Sequence, residues 1–261
     1  AQESRGLGDV YKRQGLPGLA VSVAVVLGTL LIGTVVGQRM LGLDRDTAML
    51  TAAGSAICGA AAVLAFEPTL RAAPHKSAVA VATVVLFGTL SMFLYPILYH
   101  AGWLDFDTQA LGIYIGGTIH EVAQVVGAAS NIDPATTEVA TIVKMTRVAL
   151  LVPVLLVLGM YLRSAASQAG GQAKGAKLPI PWFAVGFLVL AIINSLNIIP
   201  PDAIAAVRRL DVFALTMAMT ALGIETRFAQ IKKAGPRVMA LGLILYAWLL
   251  VGGYGIVKLA T

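Results

Sequence analysis

From about Leu19 to its C-terminus the chain is a succession of apolar runs, each close to the roughly 20 residues that a helix needs to cross a bilayer. Lipid offers a backbone no hydrogen bonds, so spanning segments must be helices or a closed barrel. The runs are rich in Ala, Val, Leu and Gly and lack the apolar–polar alternation of a membrane barrel. The fold class is therefore all-α and polytopic. Composition agrees, with 58% hydrophobic and 12% charged residues and a mean hydropathy of +0.83, far from soluble usage.

Spans are expected near 19–37, 47–66, 77–99, 109–129, 138–163, 180–199, 211–229 and 236–258, punctuated by Pro68, Pro74, Asp105, Asp107, Asp133-Pro134 and Pro200-Pro201. Residues 164–178, rich in Ser, Gln, Gly and Lys, read as a linker. The first 18 residues differ in composition from the rest and carry no signal-peptide pattern, so they read as a non-native or disordered lead-in. The net charge of +6 sits in short loops. That is a topology signal and no nucleic-acid footprint. The single cysteine, Cys58, excludes an intrachain disulfide. Counting basic residues in alternate loops puts Arg39, Arg45, Arg163, Lys174, Lys177, Arg227, Lys232, Lys233 and Arg237 on one side, expected to be cytoplasmic, with Arg71, Lys76, Arg208, Arg209 and Lys258 on the other.

An offset of 164 residues relates Arg45 to Arg209, Gly59 to Gly223 and Gly88 to Gly252. An odd number of spans separates equivalent elements, which predicts inverted repeats and a site near the bilayer midplane, as in transporters. On this reading 19–99 is a partial first repeat of three membrane elements, 100–261 is a second repeat of five, and the chain is N-terminally truncated. Thr51–Leu64 and Leu215–Thr226 combine small residues, hydroxyls and a central glycine. Such segments are expected to break mid-membrane, exposing half-helix termini to a ligand. Ser55, Cys58 and Gly59 would mark one crossing, and Thr216, Thr220 and Gly223 the other.

The run Gly116-Gly117-Thr118-Ile119-His120-Glu121 places a histidine and a carboxylic acid in an apolar span, with Gln124 one turn on. Ionisable groups persist there mainly beside a wet cavity, a polar partner or a substrate. If the span is one continuous helix, Gly117, His120, Glu121, Gln124 and Ala128 share an inward face. They would bind substrate or couple a proton, or else form a hydrogen-bonded packing cluster. Lys144 and Arg147 in the next span would balance Glu121 or attract an anion, the alternative being snorkelling toward an interface. Enzyme templates fare badly: His120-Glu121 begins like a zinc-protease motif, but Gln124 stands where the second histidine belongs. No catalytic residue, metal ligand or cofactor is expected.

The segment Gly117–Ala128 resembles the hallmark of the YeiH family, bacterial inner-membrane proteins described as sulfate exporters. Ile57-Cys58-Gly59, Lys144-Met145-Thr146-Arg147 and Leu215–Thr226 resemble three further motifs of that family, in order, although Ala61 replaces an expected hydroxyl residue. The resemblance covers nearly everything from Leu19 to Lys258. It implies a distant likeness to the bile acid:sodium symporter fold, with two crossing broken helices. It also implies a multi-pass inner-membrane carrier of a small anion, sulfate or an organosulfonate, with Gly117, Thr118, His120, Glu121, Gln124, Lys144 and Arg147 at the site. The expected partners are that anion, the lipid bilayer and a coupling proton or sodium ion, with a homodimer as an option. The competing expectation is a membrane-embedded metal-dependent enzyme using His120 and Glu121.

Overall fold

The computed structural model describes residues 7–168 and 235–261, together with isolated positions between 186 and 220. The expected spans at 180–199 and, for the most part, 211–229 lie outside the described residues, as does Gly223.

Among the described residues, four helical stretches are long and apolar enough to cross a membrane: Leu16–Met40, Pro74–His100, Pro134–Ser164 and Pro236–Ala260. They belong to α1 (Leu7–Val35, extended by a wide turn over Val36–Met40), α4 (Pro74–His100), α7 (Pro134–Gln168) and the pair α8 (Pro236–Ala247) and α9 (Gly253–Ala260). Leu27, Leu31, Phe93, Ile97, Val157 and Met160 are exposed on these helices. In a polytopic protein such outward apolar side chains meet lipid. α1 already includes residues 7–18, part of the stretch expected as a non-native or disordered lead-in, and α7 runs into the expected linker as far as Gln168.

The other two expected spans are not spans. The run around 47–66 is two short helices, α2 (Arg45–Ala56) and α3 (Ala60–Leu70), and the run around 109–129 is α5 (Thr108–Thr118) and α6 (Val122–Ser130). At 1.5 Å per residue each is about 14–18 Å long, half a bilayer core.

The contacts show that each pair turns back. Lys76, at the start of α4, pairs with Asp44 at 2.5 Å and Asp46 at 2.9 Å, both at the mouth of α2. Since α3 ends three residues before Pro74, α2 enters and α3 leaves at the same end of the molecule. The far end of α4 meets the end of α6, where His100 Nε2 lies 3.2 Å from the Asn131 carbonyl. α5 climbs beside the beginning of α7, with Gly112 against Val139 and Gly116 against Ala140. α5 and α6 therefore open at that opposite end. The described residues hold two re-entrant hairpins, inserted from opposite ends, with tips at Ile57–Gly59 and Ile119–Glu121.

This corrects two expectations. The broken segment expected at 51–64 is a hairpin that returns to its own side, in place of a helix crossing straight through, its counterpart at 215–226 lying largely outside the described residues, and the second described break falls at 119–121, within a run read as one continuous helix. It also redistributes the loop charges. Among the described residues, Arg39, Arg45, Arg71, Lys76, Arg163 and Arg237 gather at the end where the first hairpin opens, while Lys258 and the start of α1, which carries Lys12 and Arg13, lie at the other.

Local chemistry accounts for the punctuation. Asp44, Asp107 and Asp133 stand immediately before α2, α5 and α7 and accept the backbone N–H of Thr47, Ala110 and Thr136 at 3.2, 2.7 and 2.8 Å. These caps satisfy donors that the first helical turn leaves open. α1 packs through Gly33 and Gly37 against Ala52 and Ala48 of α2 so closely that an added Cβ would stand 2.6 and 2.7 Å from their methyl carbons. Small residues permit such backbone approach where no hydrophobic drive exists between helices in lipid.

Candidate functional site where the hairpin tips meet

Each hairpin brings two unlike ends to the middle of the membrane: the C-terminus of its first helix and the N-terminus of its second. The first carries open carbonyls and partial negative charge, the second open N–H groups and partial positive charge. In a bilayer both sets must be met by protein, water or ligand.

The carbonyl ends are met by α7. Lys144 and Arg147 are both fully buried. Lys144 Nζ donates to the carbonyls of Ile57 and Ile119 at 2.6 and 2.8 Å, one from each tip. Arg147 Nε donates to Ala56 at 3.2 Å, Nη1 to Gly116 and Ile119 at 3.3 and 3.0 Å, and Nη2 to Ser55 at 3.2 Å. A guanidinium fork suits this task because its donors diverge in one plane. The cations thus lie between the negative ends of α2 and α5 and pin the two tips to one helix. Neither snorkels to an interface.

The amino ends are met by Glu121. It precedes α6, where its side chain and that of Gln124 form a reciprocal capping box, Gln124 Oε1 accepting the Glu121 N–H at 3.1 Å. Glu121 Oε1 also accepts the N–H of Ala60, the first residue of α3, at 3.2 Å. One carboxylate therefore serves the N-termini of both hairpins. Gly59 makes this approach feasible: its φ of +65° is a conformation other residues avoid, and a Cβ there would stand 2.6 Å from Glu121 Oε1. Gln124, with 1% exposure, lies against Gly88 of α4, where a Cβ would overlap its carboxamide, and its Nε2 approaches the Val85 carbonyl at 3.5 Å.

His120 occupies the same break with 1% exposure, and its Nδ1 has no hydrogen-bond partner among the described residues. Cys58 is buried in the opposite tip as a free thiol. Thr118 is one step further out: its hydroxyl donates to the Tyr114 carbonyl at 2.6 Å and accepts from Tyr95 at 3.0 Å. Gly117 faces Val21 of α1 at ordinary contact distance, whereas its neighbour Gly116 carries the close approach to Ala140. The structure therefore brings together Ser55, Cys58, Gly59, His120, Glu121, Gln124, Lys144 and Arg147. Gly117 and Thr118 lie at the edge of the cluster. Thr220 donates to the Thr216 carbonyl at 2.9 Å, with both residues exposed, and Gly223 lies outside the described residues. The shared helical face expected for Gly117, His120, Glu121 and Gln124 does not exist, because α5 ends at Thr118 and α6 begins at Val122. Sequence reasoning missed Ala60, whose role is a backbone N–H and leaves no side-chain signal, and it missed Gly88 and Gly116 as places where a side chain would obstruct the site.

The family described as conserved hypothetical protein 698 matches residues 7–242. The chain belongs to this family. It is 85% identical over 247 residues to a UPF0324 membrane protein of Bordetella bronchiseptica, covering 95% of the chain and 77% of that relative. It is 63% identical over 243 residues to a UPF0324 membrane protein of Pseudomonas putida, covering 93% and 68%. It is 45% identical over 239 residues to the UPF0324 inner membrane protein YeiH of Escherichia coli, covering 92% and 68%. No solved structure matches it. With these relatives and its four spanning helices, the chain is a multi-pass protein of the bacterial inner membrane.

Proposed function

We propose that this protein is a secondary transporter, and no enzyme, that exports a small anion such as sulfate or an organosulfonate by alternating access, with its site between the two hairpin tips. The observation that carries the reading is the meeting of two half-helix N-termini around Glu121 at mid-membrane. Oriented N–H groups at helix starts bind oxyanions, and a break in the backbone at that depth is tolerated where protein or a hydrated cavity meets it. The opposed hairpins support alternating access, because withdrawal of either tip would open the site to one side alone.

Ser55, Cys58 and Gly59 from one tip and Gly117, Thr118, His120, Glu121 and Gln124 from the other would shape the site. Lys144 and Arg147 add positive charge while holding the tips, and Thr216, Thr220 and Gly223 would belong to the second repeat. His120 or Glu121 would couple a proton, with sodium as the alternative ion, and two copies would form a dimer. The test is uptake of labelled sulfate and methanesulfonate by proteoliposomes holding the full-length protein. Transport is expected in the wild type and should fall at least tenfold in Glu121→Ala. Uptake that survives the combined loss of His120 and Glu121 would remove the tips as the site.

A further inference from the structure

We propose that the Glu121 carboxylate is a tethered occupant of an oxyanion site, and that a substrate's carboxylate, sulfonate or sulfate group takes its place as Glu121 leaves carrying a proton. This rests on the reading of the protein as an anion carrier and goes further, because it makes proton uptake part of binding. The site has the parts an anion needs. Glu121 Oε1 accepts the Ala60 N–H at the start of α3, which has 11 residues, and the same side chain takes part in the capping box at the start of α6, which has 9. Two positive helix ends thus converge on one carboxylate, an arrangement stronger than either end alone.

Occupation by Glu121 excludes a second anion. The wall at Gly59 is so close that one added carbon would stand 2.6 Å from Oε1. A substrate oxyanion can reach the same N–H groups only by displacing the side chain. A carboxylate removed from its donors into an apolar surrounding is costly unless it takes a proton. The exchange balances: one proton from entering water converts the carboxylate to a carboxylic acid, and one anionic group replaces it on the N–H donors.

An independent observation points to a ligand at this place. His120 Nδ1, in the same three-residue break, is buried without a hydrogen-bond partner among the described residues. Buried polar atoms are rarely left so, and an anion or its accompanying water would satisfy it. Among the described residues, the ionisable groups nearest Glu121 are Cys58 from the first hairpin, Lys144 from α7 with Arg147 one turn on, His120 on its own turn and, beyond Thr118, Tyr95 from α4. Lys144 and Arg147 are held by carbonyls of both tips and make no ion pair with Glu121 among the described residues, so its carboxylate is held by N–H groups that an entering anion can also use.

The experiment is calorimetric titration of the full-length protein with sodium sulfate and sodium methanesulfonate between pH 6 and 8, in two buffers of different ionisation heat. Each bound anion is expected to take up about one proton, and affinity should fall about tenfold per pH unit where Glu121 is ionised. In Glu121→Gln the proton uptake and the pH slope should both vanish. Wild-type binding with no proton uptake and a flat pH profile would overturn the proposal while leaving the carrier reading intact. So would a slope that persists in Glu121→Gln. If that variant does not fold, wild-type proton uptake alone decides. Binding of neither anion at any pH would remove this proposal and the carrier reading together.

Discussion

Replacing Arg147 with methionine isolates the role of the cation that joins the hairpin ends. The side chain is fully buried and donates to the carbonyls of Ser55, Ala56, Gly116 and Ile119. Ile119 keeps Lys144 as a partner, so Arg147→Met strips the side-chain donor from three carbonyls at mid-membrane. A buried polar group left unpaired costs about 1–3 kcal/mol, so the loss is about 3–9 kcal/mol. That compares with total stabilities of roughly 5–15 kcal/mol. Removing the charge also relieves its own desolvation, but such relief prevails only when the partners are made apolar as well, and backbone carbonyls cannot be. The matching change Lys144→Met strips the Ile57 carbonyl alone and should cost about 1–3 kcal/mol, a third as much. Cys58 supplies the assay: it is the chain's single cysteine and lies 7% exposed in the first tip, so a thiol-reactive dye reports the temperature at which that tip opens. Arg147→Met is expected to open at a far lower temperature than Lys144→Met. Wild-type melting in Arg147→Met, or the reverse order, would refute the assignment of these cations to the helix ends.

Hairpin topology predicts that Arg45→Cys and Arg71→Cys, in a Cys58→Ala background, are labelled by an impermeant reagent from the same side of the membrane, and Asn131→Cys from the other; opposite labelling of the first two would restore a through-crossing helix. Gly59→Ala is expected to lose at least about 1 kcal/mol from its left-handed backbone alone, and to raise thiol reactivity at Cys58 by pushing Glu121 off Ala60; unchanged reactivity would sink the tip contact. Burial would raise the Asp44 carboxyl, but the Lys76 ammonium and the Thr47 hydroxyl and N–H outweigh it and hold the group down at about 2. Because the folded value lies below the unfolded one, this stabilisation is present above pH 4 and fades as pH falls toward 2. The pair is half-exposed, so its worth is under about 1 kcal/mol, and Asp44→Asn should flatten this part of the acid melting profile by lowering its neutral end by that amount while leaving its acid end in place.

The sequence made the tip residues legible for a plain reason: charge and glycine are rare in apolar runs, so Ile57-Cys58-Gly59, His120-Glu121 and Lys144 with Arg147 stand out as positions where lipid alone cannot be the surrounding. Their partners were not legible. Ala60, Ala56 and Ile119 act through backbone atoms, which every residue carries, and Ser55, expected at the crossing, also acts through its carbonyl. The expected balance of Glu121 by the two cations gave way to carbonyls and N–H groups for the same cause: at a helix break the backbone itself supplies the opposite partial charge.

Hydropathy and periodicity by themselves determined that the chain is helical and lives in a membrane, since about 20 apolar residues can satisfy their backbone there in no other open form. They did not determine direction. An apolar run with a break at its middle has the same composition whether its second half continues across or turns back, and each choice reverses the side assigned to the following loop. What decided was a few long-range contacts, Lys76 with Asp44 and Asp46 at one end, His100 with Asn131 at the other, and Ala60 with Glu121 between the tips. Those contacts join residues 30 to 61 positions apart in the chain, a distance over which local pattern carries no information.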